Sequence, residues 1–285
     1  SAYYLAGMTV FEAATHSFST VSIGGFSIYD DNIGFFNDPQ IEIIAVVFML
    51  ISATNFGLHF LTLTKRSLRY YSKNDEFKFF FFIVFVTVIV SILTLFFREG
   101  FPLGDSVRFG IFQTVSIVTT TGYTLEPLSN LGNVVPFFII IVAFIGACSG
   151  SVGGGMKVWR VLTLLKIGFS NITKIMHPSA VSTTKMNGEK ISSSQIEAVF
   201  SFIAIYITFF LLFLFVLIFQ DVDFYSAFSG TAAAINNLGP GLGDFAENYS
   251  TLSDSAKFTL ASAMIVGRLE LFGVLILFFP SYWKS

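Results

Sequence analysis

Three short stretches of the chain set glycine among hydroxyl and amide side chains: Ser22-Ile23-Gly24-Gly25-Phe26-Ser27, Thr119-Thr120-Thr121-Gly122-Tyr123-Thr124 and Asn236-Asn237-Leu238-Gly239-Pro240-Gly241. Aligning Gly25, Gly122 and Gly239 puts Ser19, Ser116 and Ala233 at one position and Ala14, Ile111 and Phe228 at another. The chemistry open to such a stretch is dehydration of a cation. A short helix enters a membrane, breaks at glycine and returns as extended backbone whose carbonyls replace the ion's water. Glycine suits the site because it reaches backbone angles closed to other residues and adds no side chain to the path. Non-helical backbone at membrane depth must be buried in protein or line a watery cavity. Three ordinary glycine turns outside the membrane are the alternative. Recurrence of the stretch, each time between apolar runs, favours a re-entrant pore loop.

The elements that must hold these loops are membrane helices. The chain has 285 residues, of which 54% are hydrophobic and only 12% charged. That is about half the charge of a soluble domain. Mean hydropathy is +0.75. A net charge of -2 implies no nucleic-acid partner, and the single Cys148 excludes an intrachain disulfide framework. The start lacks Met and a basic leader segment, so the chain reads as the middle of a longer pattern.

In order, residues 1–18 read as a pore helix with Phe11, Ala14 and Phe18 on its apolar side, and 19–27 as the first loop. Asp38-Pro39 has the form of a capped helix start. Residues 40–64 are expected to span the membrane, 65–78 to form a charged linker and 79–97 a second span. A connection at 98–105 leads to a pore helix at 107–118. A further apolar run at 136–145 meets Gly146-Ala147-Cys148-Ser149-Gly150-Ser151-Val152-Gly153-Gly154-Gly155, and apolar helix resumes at 158–167. So many glycines, each costing about 1 kcal/mol against Ala in a helix, predict a helix broken inside the membrane. Residues 169–195 read as a polar loop, 196–219 as a span, 224–235 as the third pore helix and 256–279 as the last span, containing Arg268 and Glu270.

Charge sorts by side. The linkers 65–78 and 157–190 hold Lys65, Arg66, Arg69, Lys73, Lys78, Lys157, Arg160, Lys166, Lys174, Lys185 and Lys190, 11 of the 16 basic residues. The segments beside the loops are acidic, among them Asp30, Asp31, Asp38, Glu126, Asp244 and Glu247. The positive-inside rule then makes the linkers cytoplasmic and the loop mouths external. An acidic mouth concentrates cations. Trp159 and Trp283 fit interfacial belts.

These stretches, with CSGSVGGGMKVWR at 148–160 and GRLELF at 267–272, resemble the TrkH/KtrB family of bacterial potassium uptake proteins. The resemblance implies an all-α membrane protein, K+ channel-like, with repeated helix–pore loop–helix units around a central ion pore. It implies multi-pass insertion in the bacterial inner membrane, a homodimer, and a cytosolic nucleotide-binding regulator similar to TrkA. The units would be 1–64 (second, incomplete), 79–168 (third, with its broken inner helix) and 196–285 (fourth), joined by cytoplasmic segments 65–78 and 169–195. The family has four filter loops and this sequence shows three, so the first unit is missing from the pattern. Carried over by position, the filter residues are Ser22, Ile23, Gly24, Gly25, Thr120, Thr121, Gly122, Tyr123, Asn237, Leu238 and Gly239. K+, the transported ion, would meet the carbonyls of Gly24, Thr121 and Leu238. The gate would comprise Gly146, Ser149, Gly150, Ser151, Gly153, Gly154, Gly155 and Arg268, the last a buried basic residue whose donors need loop carbonyls or Ser149 and Ser151. Glu270, two residues on, is no obvious partner for it.

Other chemistries compete. The glycine run has the look of a phosphate loop, but Met156 stands where the Walker lysine should follow the last glycine. An intramembrane serine protease would need Ser149 or Ser151 beside His16, His59 or His177, and neither serine has the G-x-S-x-G setting. His16 is expected behind the first loop. A non-conducting structural subunit is a further alternative. No organic cofactor is expected in this chain.

Overall fold

The structure, a computed structural model, describes residues 2–177, 183–246, 249–250 and 252–284. Residues 178–182 of the expected polar loop and Glu247 of the acidic mouth lie outside the described residues. The order of helices is α1 Ala2–Leu5, α2 Val10–Val21, α3 Pro39–Ser52, α4 Phe56–Lys65, α5 Arg69–Lys73, α6 Asp75–Phe97, α7 Leu103–Val118, α8 Val134–Ala143, α9 Val158–Met176, α10 Ser193–Phe219, α11 Phe224–Ile235, α12 Asp254–Arg268 and α13 Phe272–Leu277. A small antiparallel hairpin, β1 Lys185–Met186 and β2 Glu189–Lys190, stands between α9 and α10. The architecture is otherwise helical, and α6 and α10 are long and apolar enough to cross a membrane. The bent pair α3–α4 supplies a third crossing if it counts as one.

Local chemistry sets most helix starts. Asp223 caps α11 by accepting from Tyr225 N at 2.8 Å. Asp38 caps α3 ahead of Pro39, accepting from Gln40 N at 2.7 Å. Ser192 and Gln195 form a capping box on α10. Thr9 and Glu12 form another on α2, which corrects the expected helix at 1–18. Gly7 at φ 100° turns the chain, and α2 starts afresh after Thr9. The exposed side of α2 is the one carrying Phe11, Ala14 and Phe18, while Ala13, His16, Ser19 and Thr20 are buried. α2 packs by its small and polar face.

More boundaries move, among them the starts of α6 at Asp75 and α10 at Ser193, inside the expected linker and loop. The span expected at 40–64 breaks at 53–55 and turns by 92°. Asn55 starts α4 by accepting from Leu58 N at 3.1 Å. The span expected at 256–279 ends at Arg268, because Glu270 and Leu271 take left-handed φ of 53° and 54°. α7 starts at Leu103, inside the expected connection and directly after Pro102. α9 runs on to Met176, into the expected loop. α11 occupies the expected 224–235.

Two apolar cores meet at α7. Ile117 belongs to the core built with α8, α10, α11 and α12. Phe112, Val115 and Val118 belong to the one built with α2, α3 and α6. The polar end of α7 is pinned differently. Arg108 donates from Nε to Glu42 Oε2 at 2.8 Å and from Nη2 to Asn37 Oδ1 at 2.7 Å. The Glu42 side chain is only 6% exposed. A buried carboxylate left without its partner is strongly unfavourable, whereas an apolar pair of similar volume is often neutral. Arg108→Met alone is therefore expected to destabilise the protein by about 3 kcal/mol. The pair Glu42→Leu with Arg108→Met should recover most of that, read as thermal midpoints in detergent. Equal midpoints for the single and double variants would contradict this role for the ion pair.

Candidate functional site

The three loops share one hydrogen-bond pattern. Gly24 N donates to Ser19 O, Thr121 N to Ser116 O and Leu238 N to Ala233 O, each at 2.8 Å. One residue earlier, Ile23 N, Thr120 N and Asn237 N donate to Thr20 O, Ile117 O and Ala234 O. These paired bonds close α2, α7 and α11 each as a Schellman motif. The helix-breaking residue is therefore not the glycine. Ile23, Thr120 and Asn237 take left-handed φ of 52°, 63° and 54°, and Gly25, Gly122 and Gly239 follow two residues later at 66°, 86° and 96°. Left-handed backbone is costly for β-branched Ile and Thr, on the order of 1–3 kcal/mol, and persists where surroundings hold it.

The loops also lie side by side in chain order. A Cβ added to Gly25 would overlap the carbonyl oxygen of Thr121, and one added to Gly122 would overlap that of Leu238. Gly25, Thr121, Gly122 and Leu238 thus form two successive seams. At Gly239 a Cβ would meet nothing within 4 Å. Tyr123 is fully buried and lies behind the seams, its hydroxyl 3.3 Å from Thr20 Oγ1 and donating to His16 O at 3.3 Å. Ser116 Oγ holds the Tyr123 carbonyl at 2.7 Å. Tyr206 donates to Asn236 Oδ1 at 2.7 Å, Asn237 Nδ2 to Met264 O at 3.2 Å, and Tyr249 to the Gly239 carbonyl. Ser22 bonds locally, its Oγ donating to Ser19 O at 3.2 Å. Beside the first two loops a cavity of about 670 Å³ gathers Asp30, Asp31 and Glu126.

No helix runs between Ala143 and Val158. This glycine-rich segment lies directly against the loops. Gly154 N donates to Thr120 Oγ1 at 2.6 Å, and Cβ atoms on Gly153 and Gly154 would press on Thr119 O and Asn236 O. Its other side rests on the α3–α4 break, where Cys148 N donates to Ala53 O at 3.0 Å, Asn55 Nδ2 to Ser149 O at 2.5 Å and Phe56 N to Gly150 O at 3.1 Å. Gly146 and Gly155 abut so closely that a side chain on either would meet the other's backbone.

Three side chains with large roles here were not singled out from sequence. Glu76, expected in a charged linker, is buried, and its Oε1 accepts from Ser149 N at 2.6 Å and Trp159 N at 3.1 Å. It thereby ties the front of the glycine segment to the first turn of α9. Lys157, expected on the cytoplasmic surface, is buried with left-handed backbone, and its ammonium donates to Gly153 O. Asn55 is the third. The available signals were a carboxylate one turn before an apolar run, a lysine two residues after a glycine cluster, and an asparagine inside an apolar one.

Arg268 is exposed, correcting the expectation of burial, because α12 ends on it. Its Nη1 donates to Val152 O at 3.1 Å. The acceptor is a loop carbonyl and neither serine. Ser151 Oγ instead donates to Cys148 O at 2.5 Å. Arg268 and Lys157 share a cavity of about 300 Å³ with Gly153, Gly154, Asn237 and Glu270. Glu270 pairs at 2.9 Å with Arg160, whose guanidinium lies 3.8 Å from the Phe202 ring centre. The rival chemistries gain no geometry. His16 bonds Glu12 O and Ser27 Oγ, His59 bonds Tyr71 and Ile51 O, and the Glu76 carboxylate already fills the N-terminus of α9.

The family model described as TrkH, cation transport protein, matches residues 1–285. The Trk system potassium uptake protein TrkH of Escherichia coli (strain K12) is 39% identical over 285 residues, covering 100% of this chain and 59% of that protein. TrkH of Vibrio parahaemolyticus is 42% identical over 287 residues, with 100% and 59% covered. The Trk system potassium uptake protein TrkG of Escherichia coli is 34% identical over 283 residues, with 99% and 58% covered. The crystal structure of the potassium transporter TrkH from Vibrio parahaemolyticus superposes with a TM-score of 0.93 at 42% identity, covering 99% of this chain and 61% of that one. The chain thus spans about three-fifths of the length of the relatives it matches. With the whole of its sequence matched by the family model, this chain belongs to the TrkH family of cation transport proteins.

Proposed function

We propose that this chain builds most of a pore for potassium uptake across the bacterial inner membrane. The observation that carries the reading is the contact of the first two loops' glycines with the next loop's carbonyl, Gly25 on Thr121 and Gly122 on Leu238. Left-handed residues two apart flank Gly24, Thr121 and Leu238, so their carbonyls can face one path. The names of relatives such as Trk system potassium uptake protein support potassium as the transported ion. In this reading 1–64, 79–168 and 196–285 are three pore units, and a fourth loop closes the ring on the open side of Gly239. A homodimer follows the family resemblance.

The 146–155 segment is the gate. It rests directly against the loops, and Lys157 and Arg268 place positive charge beside it. A cation leaving the loops meets both bulk and repulsion. Opening requires the segment to leave its braces, of which Glu76 is the buried one. Asp75, the adjacent residue, accepts from Lys166 Nζ at 2.7 Å and Asn187 N at 3.1 Å. The hairpin is thereby tied to the same turn of α6 that ties the gate. The basic surface divides accordingly: Lys157, Arg160 and Lys166 are engaged internally, while Lys185 and Lys190 face each other across the exposed hairpin. Like charges opposed in this way favour an acidic partner. This hairpin is the docking point for a cytosolic, TrkA-like nucleotide-binding regulator.

Three outcomes follow for the full-length protein in liposomes. Gly122→Ser should lower the potassium-to-sodium uptake ratio on the order of tenfold, the size of a change of about 1.4 kcal/mol in relative binding. An unchanged ratio would remove Gly122 from the ion path. Deletion of 150–154, Arg268→Ala and Glu76→Ala should each raise regulator-free flux and leave ion preference mostly intact. Glu76→Gln, which keeps an acceptor, should fall between Glu76→Ala and the parent; folded variants that leak no faster would place the gate elsewhere. Charge reversal at Lys185 and Lys190 should weaken regulator capture most at low salt, and full capture at every salt concentration would count against docking there.

A further inference from the structure

We propose that α4 and α5 form a binding site for the headgroup of an anionic phospholipid in the inner leaflet. The inference rests on membrane orientation and not on conduction. The α3–α4 break is held at the level of Glu76: Asn55 Nδ2 donates to Ser149 O at 2.5 Å, and Ser149 N donates to Glu76 at 2.6 Å. Glu76 lies in the first turn of α6, immediately before that helix's long apolar run. The break therefore sits where the chain meets the cytoplasmic boundary. α4 turns 92° from α3, and in this proposal it lies along that boundary instead of across the bilayer.

The side chains of this segment suit such a position. Phe60, Leu63 and Leu68 are 68%, 76% and 76% exposed. Residues 56–74 contain no Asp or Glu but hold Lys65, Arg66, Arg69 and Lys73. Among the described residues none of these four cations makes an ion pair, in contrast to Arg160 and Lys166. Lys65, Ser67, Arg69, Tyr70 and Lys73 together line a concavity of about 380 Å³. Its walls are set by the fold. Arg66 turns the chain with a left-handed φ of 48°, and His59 bonds Tyr71 Oη at 2.6 Å and Ile51 O at 2.9 Å. Tyr71 in turn packs on Phe77 of α6, with ring centres 4.9 Å apart.

A phospholipid phosphate is the ligand these donors describe. It accepts from ammonium, guanidinium and hydroxyl groups at once. Its acyl chains lie beside Phe60, Leu63 and Leu68, as for an interfacial amphipathic helix. Unpaired cations at the inner surface are drawn to anionic lipid. A soluble anion would satisfy the charges but leave the three apolar side chains uncovered.

The test is native mass spectrometry of the delipidated full-length protein with phosphatidylglycerol or phosphatidylcholine of matched chains. The parent should retain the anionic lipid roughly tenfold more than the zwitterionic one. Lys65→Gln/Arg69→Gln/Lys73→Gln should remove that preference without lowering the thermal midpoint in phosphatidylcholine. Lys65→Arg/Arg69→Lys/Lys73→Arg should keep it. Equal retention of both lipids by the parent, or an undiminished preference in the neutralised variant, overturns the proposal. So does inorganic phosphate binding as tightly as phosphatidylglycerol, which would make this a free-anion site. Loss of regulator capture with lipid preference intact would overturn it too, in favour of a protein surface.

Discussion

A run of glycine-rich, non-helical backbone inside a membrane protein satisfies only part of its own hydrogen-bonding capacity, and nothing in hydrocarbon can substitute. The segment from Gly146 to Gly155 meets that constraint through partners drawn from most of the chain. Its amides go to Ala53 O, Glu76 and Thr120 Oγ1, and its carbonyls to Asn55, Phe56 N, Lys157 and Arg268. α3 breaks where it does, α6 carries a buried carboxylate, and α12 stops at an arginine. Each oddity supplies this segment with a donor or an acceptor. The gating proposed above would exchange those partners for water.

The loops obey a related rule. Their helices end at Ile23, Thr120 and Asn237 in a conformation that two of these residue types disfavour, and paired backbone bonds hold it. Glycine stands two residues later, where at Gly25 and Gly122 the neighbouring loop's carbonyl leaves no room for a Cβ. Backbone strain and close approach are thus assigned to different residues. Tyr123, reaching back to Thr20 and His16 of α2, makes one loop depend on the next.

Local pattern carried much of this into the sequence. The three recurrences, the Asp38-Pro39 start, the helix 224–235 and the interruption after Ala143 were all readable, because capping residues and glycine act over a few positions. The family resemblance rested on the same stretches. What was not readable depends on distant partners. The break at 53–55 sits in a largely apolar run with no proline, Gly57 falling only after α4 has begun, and is stabilised by residues about a hundred positions on. Glu76 and Lys157 sit among charged neighbours that make them look like surface. Only the fold brings Glu76 against residues 73 and 83 positions away. Arg268 looked mid-span because the turn at Glu270 and Leu271 is a matter of backbone angle alone.

The reading as a whole stands on ions meeting the carbonyls of Gly24, Thr121 and Leu238. The most direct measurement is the structure of the full-length protein with thallium in place of potassium, whose anomalous signal locates the ion independently of the protein. Thallium on the path between these carbonyls, lost when sodium replaces it, is the predicted result. Thallium ordered elsewhere in the protein, with the space between these carbonyls filled by side chains, would contradict it.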